Sequence, residues 1–318
     1  MFNILLFGCG KIGARHLQGL IIKNTKFNIL VIDSSNLSLN EGKKKWIEAG
    51  GNNSKHKIIW SNKINSEYKK FDLAIIATSS KNRATYIKKL SKKYKIKYWL
   101  IEKVLTQSVK EAYLLNSLIK KNTAYINFSR REMNWYKKIK FEVKNKSPLI
   151  ITKTGGLWGL ACNSLHFIDL MSWFTDEQLL LIKTEKLKKK WFLSKRLGFY
   201  EIYGEIVAQF SNGSKLILKS HPKEKNEIIK VKLKNKKIWI IDEKNSEAYM
   251  LNKKKFIYGK IEYQSELTKK IVTKILTTGK LNLPFLDETL NNHEIFLSSM
   301  LSHWNKSYNL NDKSLPIT

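Results

Sequence analysis

Phe2-Asn3-Ile4-Leu5-Leu6-Phe7-Gly8-Cys9-Gly10-Lys11-Ile12-Gly13-Ala14-Arg15-His16 opens the chain and decides how the rest is read. An apolar run stops at a glycine, G-x-G-x-x-G follows as Gly8, Gly10 and Gly13, and Leu17, Leu20 and Ile21 recur at helical spacing. The pattern predicts strand, tight turn and helix, the setting in which these glycines have a mechanism. Gly8 allows the turn, Gly10 has no side chain to hold a pyrophosphate off the backbone, and Gly13 lets the helix lie close to the strand. Together with Lys11 and Ile12 they offer free N–H groups at a helix start, an anion site backed by the helix dipole. Residues 27–32 read as a second strand ending on Asp33, twenty residues past Gly13. A carboxylate there accepts hydrogen bonds from a ribose diol.

Asp33 also discriminates between dinucleotides. A 2′-phosphate about 4 Å away would meet a repulsion of about 4 kcal/mol at an effective dielectric near 20. Screening reduces this, yet half of it is still more than tenfold in affinity. NAD is therefore favoured over NADP, unless Lys43, Lys44 or Lys45, close by in sequence, offsets the carboxylate.

The chain has 318 residues, room for two domains with a core each. Its 42% hydrophobic and 27% charged residues suit a soluble globular protein. No apolar run is long enough to span a membrane, and the first apolar run is taken by the first strand rather than by a signal peptide. Two cysteines, Cys9 and Cys162, give no disulfide framework, and the cytoplasm is the expected compartment. The net charge of +33 raises the question of a nucleic-acid partner. The basic residues are nearly all lysine, dispersed along the chain, with Arg15, Arg83, Arg130, Arg131 and Arg196 the arginines. Arginine is the better fork for phosphates and bases, so no nucleic-acid partner is expected. The charge reads as solubility and attraction of an anionic substrate.

Strands and helices alternate through the first part of the chain: strands at 57–60, 72–78, 97–101 and 124–128, helices at 37–50, 82–93 and 108–121. This predicts a doubly wound parallel sheet covered on both faces. Ligands of such sheets lie at the carboxyl ends of strands, so Thr78 and Ser79 should line the nicotinamide side of the crevice. Beyond about residue 145 strands dominate, at 148–154, 179–183, 200–210, 215–220, 228–233 and 237–241. Asn212-Gly213 marks a hairpin, one helix stands at 160–174, and two helices close the chain. The second part is thus expected to be a C-terminal α/β domain with a mostly antiparallel open sheet. The boundary is placed between residues 122 and 123, with the tail helices over 265–304 as candidates to pack back on the first domain.

A nicotinamide that exchanges hydride needs a partner that moves a proton. Lys103, at the end of a strand bordering the crevice, can hydrogen-bond a substrate hydroxyl, with Glu102 beside it among the cofactor-side residues. The competing reading of Lys103 is a solvated lysine. On the helix over 160–174, Cys162, His166, Asp169 and Trp173 share one face. His166 suits a general base held by Asp169, or else a buried, satisfied histidine. Cys162 and His166 could open a metal site, but no further ligands stand at suitable spacing, so no metal is expected. Cys9 reads as a small side chain in a tight turn, and His293 as structural.

With these residues in place the chain resembles the glucose–fructose oxidoreductase, inositol dehydrogenase and MocA-type (Gfo/Idh/MocA) family nearly end to end. The likeness rests on the glycine loop followed by Arg15-His16, on Glu102-Lys103, and on Gly155-Gly156 through His166. It implies an N-terminal Rossmann domain, a C-terminal domain whose open sheet forms homo-oligomers, and an NAD(P)-dependent oxidoreductase acting on a sugar, inositol or nucleotide sugar. It implies that Lys103 contacts substrate and nicotinamide and that His166 is the catalytic histidine. Arg131, just past the last strand of the first sheet, would meet an anionic group of the substrate. Val104 departs from the family's usual proline. Cys162 stands where many members carry an aspartate that helps bind and deprotonate the substrate, leaving Asn163 or Ser164 to supply a hydrogen bond. The Asn163-to-Leu170 stretch is similar to a branch among bacterial surface-polysaccharide proteins, which points to a nucleotide-linked or acidic sugar and to glycan biosynthesis. The alternative is a sensor or scaffold of the same fold that binds NAD and sugar without turnover.

Overall fold

Apolar residues run without alternation through β1 (Phe2–Phe7) and, after helix α1 (Lys11–Gly19), through β2 (Phe27–Ile32), where every residue is buried. Strands of that kind are covered on both faces. The chain continues through α2 (Asn36–Glu48), started by the Ser35 hydroxyl accepting from Ser38 N–H at 3.2 Å, and β3 (Lys57–Ser61). Next come β4 (Lys70–Ile76), α3 (Arg83–Lys93), β5 (Lys95–Ile101), α4 (Val109–Leu118) and β6 (Ala124–Ile126). The six strands form one all-parallel sheet in the order β3-β2-β1-β4-β5-β6. Strand order reverses between β1 and β4, and ligand crevices open at the carboxyl ends of strands at such a switch. The computed structural model describes residues 1–65, 67–252, 255–260 and 262–318.

The later chain contains α5 (Asn134–Val143), β7 (Ile150–Gly155), α6 (Leu160–Thr175), β8 (Leu179–Leu187), β9 (Phe192–Leu193) and β10 (Tyr200–Glu201). It goes on through β11 (Gly204–Phe210), β12 (Lys215–Ser220), β13 (Ile228–Lys232), β14 (Ile238–Asp242), β15 (Glu247–Met250) and β16 (Phe256–Tyr258). Helices α7 (Gln264–Thr278) and α8 (Leu286–Tyr308) follow. Eight of these strands form a sheet in the order β16-β15-β14-β13-β7-β12-β11-β8. Its described pairings are antiparallel apart from β7 with β12, so the mostly antiparallel expectation holds. The Asn212-Gly213 hairpin joins β11 to β12.

Two compact units result. The first comprises Met1–Thr106, Tyr113–Glu132 and Glu262–Glu288; the second comprises Gln107–Ala112, Met133–Ile261 and Thr289–Thr318. The division falls at 132/133 where the sequence suggested 122/123, because β6 is the sixth strand of the parallel sheet. Within the first unit α7 lies on α1. Gly19 permits this: a Cβ there would stand 2.5 Å from the Ser265 carbonyl oxygen and 2.6 Å from Thr268 Cβ. The expected single strand over 200–210 is broken at Gly204 (φ +125°), leaving β10 to pair with β9. Helix α5 and the short β15 and β16 were not anticipated. Among the described residues, no helix is long and apolar enough to cross a membrane.

The tightest packing in the first unit is between α1 and the turn before it. A Cβ on Gly13 would lie 1.9 Å from the Gly8 carbonyl oxygen, and backbone cannot yield to it as a side-chain tip can. Gly13→Ala is expected to cost about 3 kcal/mol of stability or more, the upper end for overpacking. Urea unfolding of the two proteins checks this, and equal midpoints would contradict the packing described.

Candidate functional site

The glycine turn is assembled almost wholly from backbone. Gly8, at φ +96°, donates its N–H to the Ile32 carbonyl (2.8 Å), tying the ends of β1 and β2 together. A Cβ at Gly8 would come within 2.7 Å of Thr78 N. Gly10 is different: it is exposed, and no atom lies within 4 Å of where its Cβ would be. It precedes α1 without any side-chain cap, so the N–H groups of the first turn, at Lys11 and Ile12, are left to an outside acceptor. Asp33 closes the turn from the tip of β2. Its Oδ2 accepts from Cys9 N–H (2.7 Å) and its Oδ1 from Ser35 N–H (2.8 Å), and each oxygen keeps a further lone pair. Burial first, and the Asp33 charge second, push the Cys9 thiol up to about 12, so Cys9 is an inert filler of the turn. Lys43 lies over the Trp60 ring, and among the described residues none of Lys43, Lys44 and Lys45 pairs with Asp33.

Thr78 follows β4, and its Oγ1 is buried with no hydrogen-bond partner within the chain. Such an orphan needs an explanation, and a ligand is one. Open space at Gly10, uncapped N–H groups, a fixed Asp33 carboxylate and the orphan Thr78 hydroxyl fit a dinucleotide such as NAD. Ser79 lies half-buried beside Thr78.

Glu102 and Lys103 directly follow β5. Glu102 is buried, and its Oε1 meets His16 Nε2 at 3.0 Å and Asn127 Nδ2 at 2.5 Å. The Thr268 hydroxyl gives its proton to the Gln264 carbonyl (2.7 Å), so it accepts from His16 Nδ1 (2.8 Å). The fully buried imidazole thus links α1 to Thr268 of α7 on one side and to Glu102, just past β5, on the other. Burial alone would raise the Glu102 carboxyl. The hydrogen bond and charge of His16, the Asn127 amide and the Lys103 charge outweigh burial and hold it below its ordinary value. Lys103 itself is half-buried, and the Lys103–Val104 peptide is cis. Arg83, at the start of α3, is fully buried. Its guanidinium donates to the carbonyls of Glu102 (2.5 Å), Leu105 (3.0 Å), Val104 and Thr78. Arg131 sits in a short turn after β6, half-buried, next to Glu132, which accepts from Asn282 N–H at 2.6 Å.

The remaining expected site residues, Cys162, Asn163 and His166, belong to the second unit, on α6. Glu201 of β10 reaches the start of that helix. Its carboxylate accepts from Ala161 N–H (2.8 Å), Cys162 N–H (3.2 Å) and the Cys162 thiol. A carboxylate thus stands beside the Cys162 thiol. Asn163 spends its side-chain amide on the Trp158 carbonyl at 2.7 Å, so that donor is committed to the loop before the helix. His166 is half-buried one turn on from Cys162. His293 donates from Nδ1 to the Thr289 carbonyl (3.0 Å) within α8, a structural role. Among the described residues no three His, Cys, Asp or Glu side chains gather to hold a metal ion.

Sequence reasoning passed over Arg83, Glu201 and the contacts of His16. Arg83 was discoverable as a cation on the apolar face of α3 with Ala84, Ile87 and Leu90. Glu201 is a lone acid in Phe199-Tyr200-Glu201-Ile202-Tyr203.

With this geometry in place, the molecule has the fold of the Gfo/Idh/MocA-type dehydrogenases. A Gfo/Idh/MocA family oxidoreductase from Vibrio cholerae superposes with a TM-score of 0.67 at 14% identity, covering 97% of this chain and 100% of that one. Levoglucosan dehydrogenase in complex with NADH and L-sorbose gives a TM-score of 0.69 at 11% identity, with 96% and 97% covered. The UDP-N-acetylglucosamine 3-dehydrogenase GnnA of Acidithiobacillus ferrooxidans gives 0.65 at 10% identity, with 95% and 96% covered. Neither a family model nor a curated protein sequence matches the chain.

Because the Glu102 carboxyl is held below its ordinary value of about 4.5, its stabilising contribution is complete above that pH and is lost as pH falls through the folded value. Glu102→Gln is expected to cost about 3 kcal/mol at pH 7, as breaking a buried pair does. The gap from wild type should narrow below pH 4.5. Unfolding free energies at several pH values check this; a gap that widens on acidification would contradict it.

Proposed function

We propose that this chain is an NAD-dependent oxidoreductase that moves hydride between nicotinamide and a hydroxyl or keto carbon of a sugar or nucleotide sugar. The observation that carries the reading is the cradle of the first unit: open space at Gly10, uncapped N–H groups behind it, and Asp33 fixed by two backbone donors. Known proteins with this fold support it. One is levoglucosan dehydrogenase in complex with NADH and another a UDP-N-acetylglucosamine 3-dehydrogenase. Bound NAD supplies the carbon that accepts or gives hydride. In this reading the α1 N–H groups bind pyrophosphate, Asp33 takes the ribose hydroxyls and disfavours a 2′-phosphate, and the Thr78 hydroxyl takes a polar group of the cofactor. Lys103 hydrogen-bonds the reacting oxygen. His166 takes the hydroxyl proton in oxidation and returns it in reduction. Arg131 meets an anionic group of the substrate, and Cys162 and Asn163 border it. A place in surface-polysaccharide or other glycan synthesis in the cytoplasm belongs to the same proposal.

A second reading, an NAD- and sugar-binding protein without turnover, draws on Glu201. Its carboxylate is already occupied by two N–H groups and a thiol, which leaves it poorly placed to take a further proton. Titration with NADH and NADPH, followed by tryptophan quenching, tests both readings. Tighter binding of NADH, weakened at least tenfold in Asp33→Ala, is expected. Given a substrate found among nucleotide sugars, Lys103→Ala and His166→Ala should each lower kcat by about 10²–10⁴-fold. NADH binding without turnover on any sugar would favour the second reading. No binding of either cofactor would end both.

We further propose that the open face of the eight-stranded sheet meets a second copy of the chain. Val207, Ile217 and Thr152 lie side by side there across paired strands, each half-exposed. Sedimentation should show an oligomer that Ile217→Lys dissociates; a wild-type monomer at micromolar concentration would refute this.

A further inference from the structure

Arg83 does not belong to the glycine turn, and nothing in the reading above gives it a role. It is 1% exposed, and burying a cation so deeply is costly unless it is hydrogen-bonded. Its acceptors are unusual in being backbone carbonyls drawn from two separate segments. One is Thr78, the residue after β4 whose hydroxyl is orphaned. The others are Glu102, Val104 and Leu105, so the guanidinium grips the residues immediately before and after Lys103. Arg83 is anchored in turn, at the first residue of α3, by N–H donation to the Ser80 carbonyl (3.4 Å).

We propose that Arg83 is the positioning residue that fixes the end of β4 and the end of β5 relative to each other, setting the directions in which Thr78 and Lys103 leave the sheet. This rests on the reading of the first unit as an NAD site and adds a residue to it. Lys103 and the Thr78 hydroxyl stand on irregular backbone past the last ladder bonds of β4 and β5, where strand pairing no longer dictates direction. One planar fork with five N–H donors can hold four carbonyls at once; an ammonium has three donors and no plane. The chain has 54 lysines among its 59 basic residues, yet here it carries an arginine, where that geometry is required. Misplacement of a reacting group by about 1 Å costs on the order of 100-fold in rate, so a strap on both sides of Lys103 matters although Arg83 itself touches neither hydride nor proton.

The test compares wild type, Arg83→Lys, Arg83→Met and Arg83→Ala by amide hydrogen exchange and by NADH titration at a temperature well below unfolding. In Arg83→Met, exchange should rise together in 77–80 and 102–106 while α2 keeps its protection, and NADH affinity should fall about tenfold, the scale of one charge-assisted hydrogen-bond set. Arg83→Lys should lie between. In Arg83→Ala, millimolar guanidinium should restore part of the NADH affinity, which it would not do for a variant that is merely less stable. Exchange that rises uniformly through the first unit, or unchanged exchange in both segments, would overturn the proposal. Should Arg83→Met fail to fold, Arg83→Lys decides by the same two readouts. Failure of wild type to bind NADH would defeat the cofactor reading alone, since the exchange data judge the strap without any ligand.

Discussion

Everything in the first unit depends on how closely α1 approaches the turn that precedes it. The Gly8 carbonyl occupies the space that a side chain on residue 13 would need. That approach places the start of α1 against the ends of β1 and β2, lets Gly8 donate to Ile32, and brings Cys9 N–H onto Asp33. The cradle is therefore made of main chain plus one carboxylate. A site built this way survives wholesale exchange of side chains around it. That is consistent with a fold kept at 10–14% identity to the solved dehydrogenases described above.

Charge is distributed by a different logic inside and outside. The surface lysines that make the net charge +33 meet few acids; Glu205 is one, held below its ordinary value chiefly by its hydrogen bond to Lys219, and shared with Lys186. Such exposed pairs contribute little. Several of the buried charges clamp backbone. Glu177 accepts from Asn212 N–H, Ser214 N–H and the Ser214 hydroxyl, fixing the β11–β12 turn. Glu132 holds Asn282, Glu201 holds the first turn of α6, and Arg83 holds the strand ends. Burying a charge is unfavourable unless it is fully hydrogen-bonded. Here the acceptors and donors come from loops and helix ends, the parts of the chain that secondary structure leaves unsatisfied.

The parallel sheet was legible because its strands carry uninterrupted apolar runs and its glycines have fixed jobs, and the placement of Asp33 at the end of β2 follows from spacing alone. The second sheet was legible as a run of strands, but its details were not. Gly204 looks innocuous in sequence, yet its positive φ breaks the strand and turns Glu201 toward α6. Helix α5 hides its buried face of Trp135, Tyr136, Ile139 and Val143 among lysines, and β15 and β16 are too short to show a period. The contacts of His16, Arg83 and Glu201 join residues 86, 19 and 39 positions apart. Local pattern carries no information about such pairs, because what selects them is the tertiary packing that brings their acceptors within reach.

The first unit is also discontinuous in the chain: most of the second unit is inserted between Glu132 and Glu262, and α7 then returns to α1. A ribosome therefore delivers the parallel sheet long before it delivers the helix that lies on α1. Until Thr268 emerges, the His16 imidazole lacks the acceptor on its Nδ1 side, and the groove at Gly19 that α7 will fill stands open to solvent. The inserted strands have by then been synthesised and are free to pair. Completion of the first unit is consequently a late event in biogenesis, set by the position of α7 in the chain.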